Sequence, residues 1–269
     1  MDYQGLIAVV VAVVEGLTEF LPVSSTGHMI IVGHMLGFEG NVVDVFEVFI
    51  QFGAILSVLF IYYDRFLRFF TPGGWKLRGG FSVWHVMAGC VPCMLLAFFC
   101  YKLIKNCLFN PFTVAIGLFA GALLLAYAER KAGGREKKGL VQDLDGMSIK
   151  QAFYVGLFQI LSLWPGFSRS GSTIAGGMLV GLSREVSAAY TFIMAVPVMF
   201  AASVYDIWKH REVLDFADLQ TLALGFIVAG VVAYLSIFWF VRFVQKHRLT
   251  VFAYYRIILA VFTMWYFYR

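Results

Sequence analysis

Glu15 and Glu19 stand four residues apart in an otherwise apolar run. On a helix that spacing puts both carboxylates on one face, a turn apart. Two carboxylates in apolar surroundings are costly unless they are paired, protonated or bound to a cation. Their hard oxygens suit Mg²⁺ or Ca²⁺, with substrate phosphates completing the shell. The plainer alternative is a structural carboxylate pair facing an internal lumen. Ser24-Ser25-Thr26-Gly27-His28 follows directly. A hydroxyl with a histidine three residues on can make a nucleophile and its base. If a helix restarts here, its free N–H groups also form an anion site, although Ser and Thr are ordinary N-caps as well. A second polar run, Pro165-Gly166-Phe167-Ser168-Arg169-Ser170-Gly171-Ser172-Thr173, carries a cation among hydroxyls and glycines. Arg gives bidentate contacts to phosphate or carboxylate, Gly lets the backbone approach, and Ser168, Ser170 and Thr173 can donate. Such a run reads as a phosphate cradle, as an internal partner for Glu15 or Glu19, or as both.

The elements that must hold these residues are membrane elements. The chain has 269 residues, 61% hydrophobic and only 14% charged, with a mean hydropathy of +0.80. A soluble domain is roughly half apolar and about a quarter charged, so the bilayer must be the solvent. The net charge of +5 sits mainly in loops between apolar runs, which is a topology signal and not a nucleic-acid footprint. Met1–Gln4 carry no positive charge and no small-residue cleavage site precedes Glu15, so no cleavable signal is expected.

Six apolar runs read as full spans: 46–63, 83–104, 111–128, 187–206, 219–241 and 250–268. Trp and Tyr anchors lie near their ends. Residues 5–36 and 151–182 are apolar but interrupted by the two polar runs. A break at membrane depth must be buried in protein or line a wet cavity, so both regions read as re-entrant hairpins. The expected architecture is an all-α integral membrane fold, six full spans plus two re-entrant helical hairpins, forming a single domain over 1–269. Repeat one would cover 1–130, a connecting loop 129–151, and repeat two 151–269. At an offset of 143, Pro22 falls on Pro165, Ser25 on Ser168, and Phe49-Ile50 on Phe192-Ile193. A hairpin followed by three spans reverses sides, so the second half would be inverted. The loops 64–82, 129–151, 182–187 and 242–249 then share one side and hold 14 of the 21 Lys and Arg, including Arg78, Arg135, Lys137 and Lys138. Five, among them Lys105, Lys209 and Arg211, lie opposite. The rich side should be cytoplasmic, which leaves the mouth of the first hairpin facing outward.

Other polar residues receive plainer readings. Cys90 and Cys93 form a C-x-x-C without a second ligand pair, so a buried structural role is expected. His34 and His85 should be interfacial, Arg256 a packing or lipid-facing snorkeller, and Asp206 a span-end cap. Glu47 and Gln51, four apart, could line the cavity of the first hairpin.

The run Glu15-Gly-Leu-Thr-Glu19-Phe-Leu-Pro-Val-Ser-Ser-Thr-Gly-His28, together with Pro165–Thr173, resembles the two signature motifs of the bacterial undecaprenyl-diphosphate phosphatase family, the bacitracin-resistance type distinct from the PAP2 lipid phosphatases. The resemblance covers essentially the whole chain. It implies hydrolysis of undecaprenyl diphosphate to undecaprenyl phosphate and inorganic phosphate, which recycles the lipid carrier for cell-wall synthesis. It implies a multi-pass protein of the bacterial inner membrane, a divalent cation held by Glu15 and Glu19, and Ser25 and His28 as nucleophile and helper. Arg169 with Ser168, Ser170 and Thr173 would hold the diphosphate, with Ser24, Thr26 and Gly166 beside them. Direct attack by Ser25 and attack by an activated water both remain open, as does a homodimer. A transporter or lipid flippase is the main rival, because inverted broken hairpins are a transporter pattern. A PAP2 enzyme would need a later Arg, His and Asp motif, and after Arg169 only His210 and His247 remain. A purely structural scaffold would leave the buried charges unexplained.

Overall fold

The computed structural model describes residues 3–38, 41–76, 80–133, 139–210 and 219–269. Arg78, Arg135, Lys137, Lys138 and Arg211 lie outside the described residues, as do the side chains of Lys105, Asp206 and Lys209. The described chain is helical and contains no strand, only an isolated bridge between Val141 and Leu182. In chain order the helices are α1 (Tyr3–Thr18), α2 (Ser25–Leu36), α3 (Asn41–Ile61), α4 (Tyr63–Phe69), α5 (Val83–Leu108), α6 (Pro111–Gly133), α7 (Ile149–Gln159), α8 (Arg169–Leu179), α9 (Arg184–His210), α10 (Leu219–Lys246) and α11 (Thr250–Tyr268).

Five helices, α5, α6, α9, α10 and α11, are long and apolar enough to cross a membrane. Each overlaps an expected span. The run expected over 46–63 differs: α3 begins at Asn41, and the chain turns by 86° into α4. The turn follows from composition. Asp64, Arg65 and Arg68 of α4 cannot continue into hydrocarbon, so the helix bends at the apolar edge. If the bent pair counts as one crossing, the candidate spans number six.

The interrupted regions are helix, break, helix. Residues 19–24 separate α1 from α2. In the other region a 3-10 turn, Ile160–Leu163, and residues 164–168 separate α7 from α8. In each case the two helices pack on one another. Around them α1 packs on α10, α7 on α5, α3 on α9 and α10, and α6 on α11 and α8. The largest buried cluster fills the centre with Phe20, Ile55, Val58, Leu125, Ile174, Phe192 and Phe240. Cys90 and Cys93 are buried free thiols, in keeping with a structural role.

The four charge-rich loops meet at one end. Arg65 and Arg68 reach Asp145 across two of them, at 2.7 and 3.2 Å. Val141 bridges to Leu182. Glu129, 1% exposed, pairs with Arg184 and accepts the Leu249 N–H at 3.3 Å. His85 corrects its expectation. It is buried, not interfacial, because it closes a capping box with Ser82 and lies 2.9 Å from the Met147 carbonyl.

Asp145 also accepts the Phe81 N–H at 2.8 Å. Partial burial pushes its carboxyl up, but the Arg65 hydrogen bond, the Phe81 N–H and the Arg65 and Arg68 charges hold it below the ordinary carboxylate range. A carboxylate lowered on folding stabilises fully above its unfolded value, about 3.9, and that contribution is lost as pH falls through the lower folded value. The group is partly exposed, so the contribution is at most about 1 kcal/mol. Asp145→Asn should remove it at neutral pH and speed tryptic cleavage at Lys76, while wild type should loosen in the same way only under strong acid. Equal cleavage of wild type and variant at neutral pH would show that the carboxylate does not hold this segment.

Candidate functional site

Both breaks restart their second helix from a serine N-cap in the left-handed region, Ser24 at φ 71° and Ser168 at φ 70°. They are the only non-glycine residues with positive φ among those described. Each such residue costs roughly 1–3 kcal/mol, so the surroundings must enforce it. Ser24 Oγ accepts the Gly27 N–H at 3.3 Å, and Ser168 Oγ accepts the Gly171 N–H at 3.1 Å. The two cap serines stand 144 residues apart.

The breaks touch through charge. Arg169 Nη2 donates to Glu19 Oε1 at 2.9 Å, with side chains 12% and 9% exposed. Its Nη1 donates to the Thr191 carbonyl at 3.3 Å, and the guanidinium lies 5.6 Å from the Phe20 ring centroid. The other oxygen of Glu19 accepts the Ser25 hydroxyl. Ser170 donates to the Leu21 carbonyl at 2.7 Å, a second link between the breaks. Around the Arg169–Glu19–Ser25 relay lies a cavity of about 130 Å³, lined also by Ser24, Thr26, Gln51, Ser162, Trp164, Gly166, Ser168 and Met199.

The structure distributes the expected site residues unevenly. Glu19, Ser24, Ser25, Thr26, Gly166, Ser168 and Arg169 line the cavity, and so does Gln51. Ser170 and Thr173 are buried supports outside its lining; Thr173 donates to the Arg169 carbonyl at 2.8 Å and accepts from Thr191. Glu15 is 1% exposed, and neither of its oxygens accepts a hydrogen bond from the described residues. Glu19, Glu47 and Arg169 are the charged groups acting on it.

His28 does not meet Ser25. Its Nδ1 lies 2.7 Å from the Ser24 carbonyl and its Nε2 2.7 Å from the Tyr255 hydroxyl. A carbonyl only accepts, so in the neutral ring Nδ1 carries the proton and Nε2 accepts from Tyr255. The ring stacks on Tyr255 at an interplanar angle of 6°. Both residues face an apolar groove of about 530 Å³ running past Leu17, Leu21, Trp239, Val251 and Phe252. Serine thus has a carboxylate, and not the imidazole, as its proton acceptor.

Arg256 also departs from its expectation. It neither snorkels nor faces lipid: it is fully buried, with Nη2 donating to the Phe167, Gly166 and Gly117 carbonyls at 2.7, 3.1 and 3.4 Å. It points inward because α11 packs on α6 through this face. Ser162 and Trp164 flank the second polar run and could have been drawn from their position beside Pro165. Tyr255 is one of 13 tyrosines, and its place on His28 has no local signal.

A membrane protein of bundled helices, with a buried cation–carboxylate–hydroxyl cavity beside an apolar groove, has the two compartments an amphiphile with an anionic head requires. Residues 8–262 match the family model of the bacitracin resistance protein BacA, and the chain belongs to this undecaprenyl-diphosphate phosphatase family. Membership brings with it phosphatase chemistry on a lipid substrate, carrier-lipid recycling and bacitracin resistance.

The strained caps give a stability ordering. Ser168→Ala loses the cap oxygen while keeping a Cβ in the left-handed region, and should cost about 1–2 kcal/mol. Ser168→Gly loses the same oxygen but relieves the backbone, and should cost only a few tenths. Unfolding midpoints in detergent should run wild type, Gly, Ala; an alanine variant as stable as the glycine one would contradict the strain at this cap.

Proposed function

We propose that this protein hydrolyses undecaprenyl diphosphate, with Ser25 as nucleophile, Glu19 as its base and Arg169 as the anchor of the diphosphate. The observation that carries the reading is the Arg169–Glu19–Ser25 relay. Arg169 is held by Glu19 until an anion competes for it. A diphosphate engaging the guanidinium frees Glu19 to take the Ser25 proton. Ser25 Oγ then attacks the terminal phosphorus, the anhydride P–O bond breaks, and undecaprenyl phosphate leaves. Water hydrolyses the phosphoserine, releasing inorganic phosphate and restoring the hydroxyl. In-line phosphoryl transfer needs little beyond positioning and charge stabilisation, which the cavity supplies. The prenyl chain is accommodated by the groove beside His28, and His28 holds the Ser24 turn through its carbonyl.

A divalent cation, Mg²⁺ or Ca²⁺, fits the donor set in part. Glu15 offers two buried oxygens that accept no hydrogen bond from the described residues, next to Glu19. No group of three or more His, Cys, Asp or Glu converges among the described residues. That suits an ion which takes its remaining ligands from phosphate and water. When bound it would neutralise charge on the diphosphate; Glu15 and Glu19 are the residues that would hold it.

The two halves are read as an inverted repeat, repeat one over about 1–130 and repeat two over about 151–269. Equivalent packings support this: α1 on α10 answers α7 on α5. Gly16 approaches the Ala229 backbone as Gly156 approaches that of Gly89, and both equivalences span 140 residues. At the caps the spacing is 144, and the four-residue turn Ile160–Leu163 accounts for the difference. The same plan underlies transporters, so movement of the product lipid is the second reading.

In detergent, the protein should release phosphate from a C15 or C55 prenyl diphosphate, EDTA should stop the release, and Mg²⁺ or Ca²⁺ should restore it. Glu19→Gln and Ser25→Ala should each lower kcat by about 10²-fold or more. No release with or without EDTA would overturn the enzyme reading, and normal turnover by Ser25→Ala would remove the covalent step.

The charge-rich end is assigned to the cytoplasm of a bacterial inner membrane, which turns the first hairpin towards the periplasm. With the native cysteines replaced, Asn110→Cys should react with an impermeant maleimide on intact cells, and Gly139→Cys only after permeabilisation. Labelling of Gly139→Cys from outside would reverse the assignment.

A further inference from the structure

Arg256 of α11 carries its charge deep in the bundle. It is fully buried, and its only acceptors among the described residues are the three backbone carbonyls. Its Nε and Nη1 have no partner, and it forms no ion pair among the described residues. A buried cation without a counter-charge is expensive and is rarely retained without function. The fold is also shaped to admit it. A Cβ on Gly121 of α6 would collide with the guanidinium, and one on Gly171, in the first turn of α8, would lie 2.8 Å from Nη1.

Two of the carbonyls it gathers belong to the turn leading into the Ser168 cap. For an anion to sit at the start of α8, the N–H groups must face it and the carbonyls must turn away. Arg256 satisfies the Gly166 and Phe167 carbonyls on its own side of the turn, while the Phe167 N–H is taken by the Trp164 carbonyl at 3.0 Å. Its charge also differs from that of Arg169, which Glu19 already compensates. The uncompensated positive charge next to the cradle is therefore that of Arg256. The neighbouring residue on α11 acts on the other break, since Tyr255 fixes His28, which holds the Ser24 carbonyl.

We infer that Arg256 is a positioning residue for the diphosphate: it keeps the carbonyls of residues 166 and 167 behind the cradle and supplies the positive field under the first turn of α8. The inference rests on the phosphatase reading for its ligand but not for its geometry. The test uses the full-length protein in detergent, with inorganic pyrophosphate as the binding probe and a C15 prenyl diphosphate as substrate. In Arg256→Met the pyrophosphate Kd and the KM should both rise about tenfold or more, with kcat changed much less. Arg256→Lys keeps the charge and one donor direction, and should recover part of the affinity. Should the methionine variant fail to fold, Arg256→Gln and Arg256→Lys decide the matter, with the larger rise in Kd expected in the neutral glutamine variant. Unchanged pyrophosphate affinity in the folded variants, with only kcat or thermal stability reduced, would make Arg256 structural and overturn the inference. Binding that depends on Arg256 in a wild-type protein releasing no phosphate would instead sink the phosphatase reading and leave this one standing.

Discussion

A helix broken inside an apolar slab leaves N–H and C=O groups where water cannot reach them, and each unsatisfied group is costly. The arrangement around both breaks answers this constraint. Ser24 and Ser168 cap the restarted helices from strained backbone. Ser170 takes the Leu21 carbonyl, His28 the Ser24 carbonyl, and Arg256 the carbonyls of Gly166 and Phe167. Trp164 takes the Thr113 carbonyl from α6 at 2.8 Å. The two breaks therefore require each other, and both require α6 and α11 close by.

Charge follows backbone. Arg65–Asp145 and Arg169–Glu19 are alike in distance but not in consequence. At the exposed end such a pair contributes at most about 1 kcal/mol, whereas stripping one partner from a buried pair costs roughly 3–5 kcal/mol. Without Arg169, Glu19 would stand uncompensated next to Glu15. The same buried setting makes the pair responsive: an anion entering the cavity competes with Glu19 at close range, with little water to screen it.

Much of this was legible from residue order. Long apolar runs fixed five crossing helices, because period and length leave a membrane little choice. The two polar runs were found because charge at membrane depth is conspicuous. What escaped were relations across the chain. Ser25 and His28 are three apart and invite pairing, yet the imidazole meets Tyr255 and the hydroxyl meets Glu19. Arg256 looks like any arginine in an apolar run; the missing side chains at Gly121 and Gly171 leave the space its guanidinium fills. The bend after Ile61 was readable in Asp64, Arg65 and Arg68, which mark the edge of the apolar stretch.

Glu129 gathers α6, the start of α9 and the start of α11 at one end of the bundle through Arg184 and the Leu249 N–H. At the other end α2 meets α11 through His34 and Tyr266, ring against ring. The bundle is thus tied by a buried charge at one end and by an aromatic contact at the other, so discharging Glu129 would loosen the first tie and leave the second.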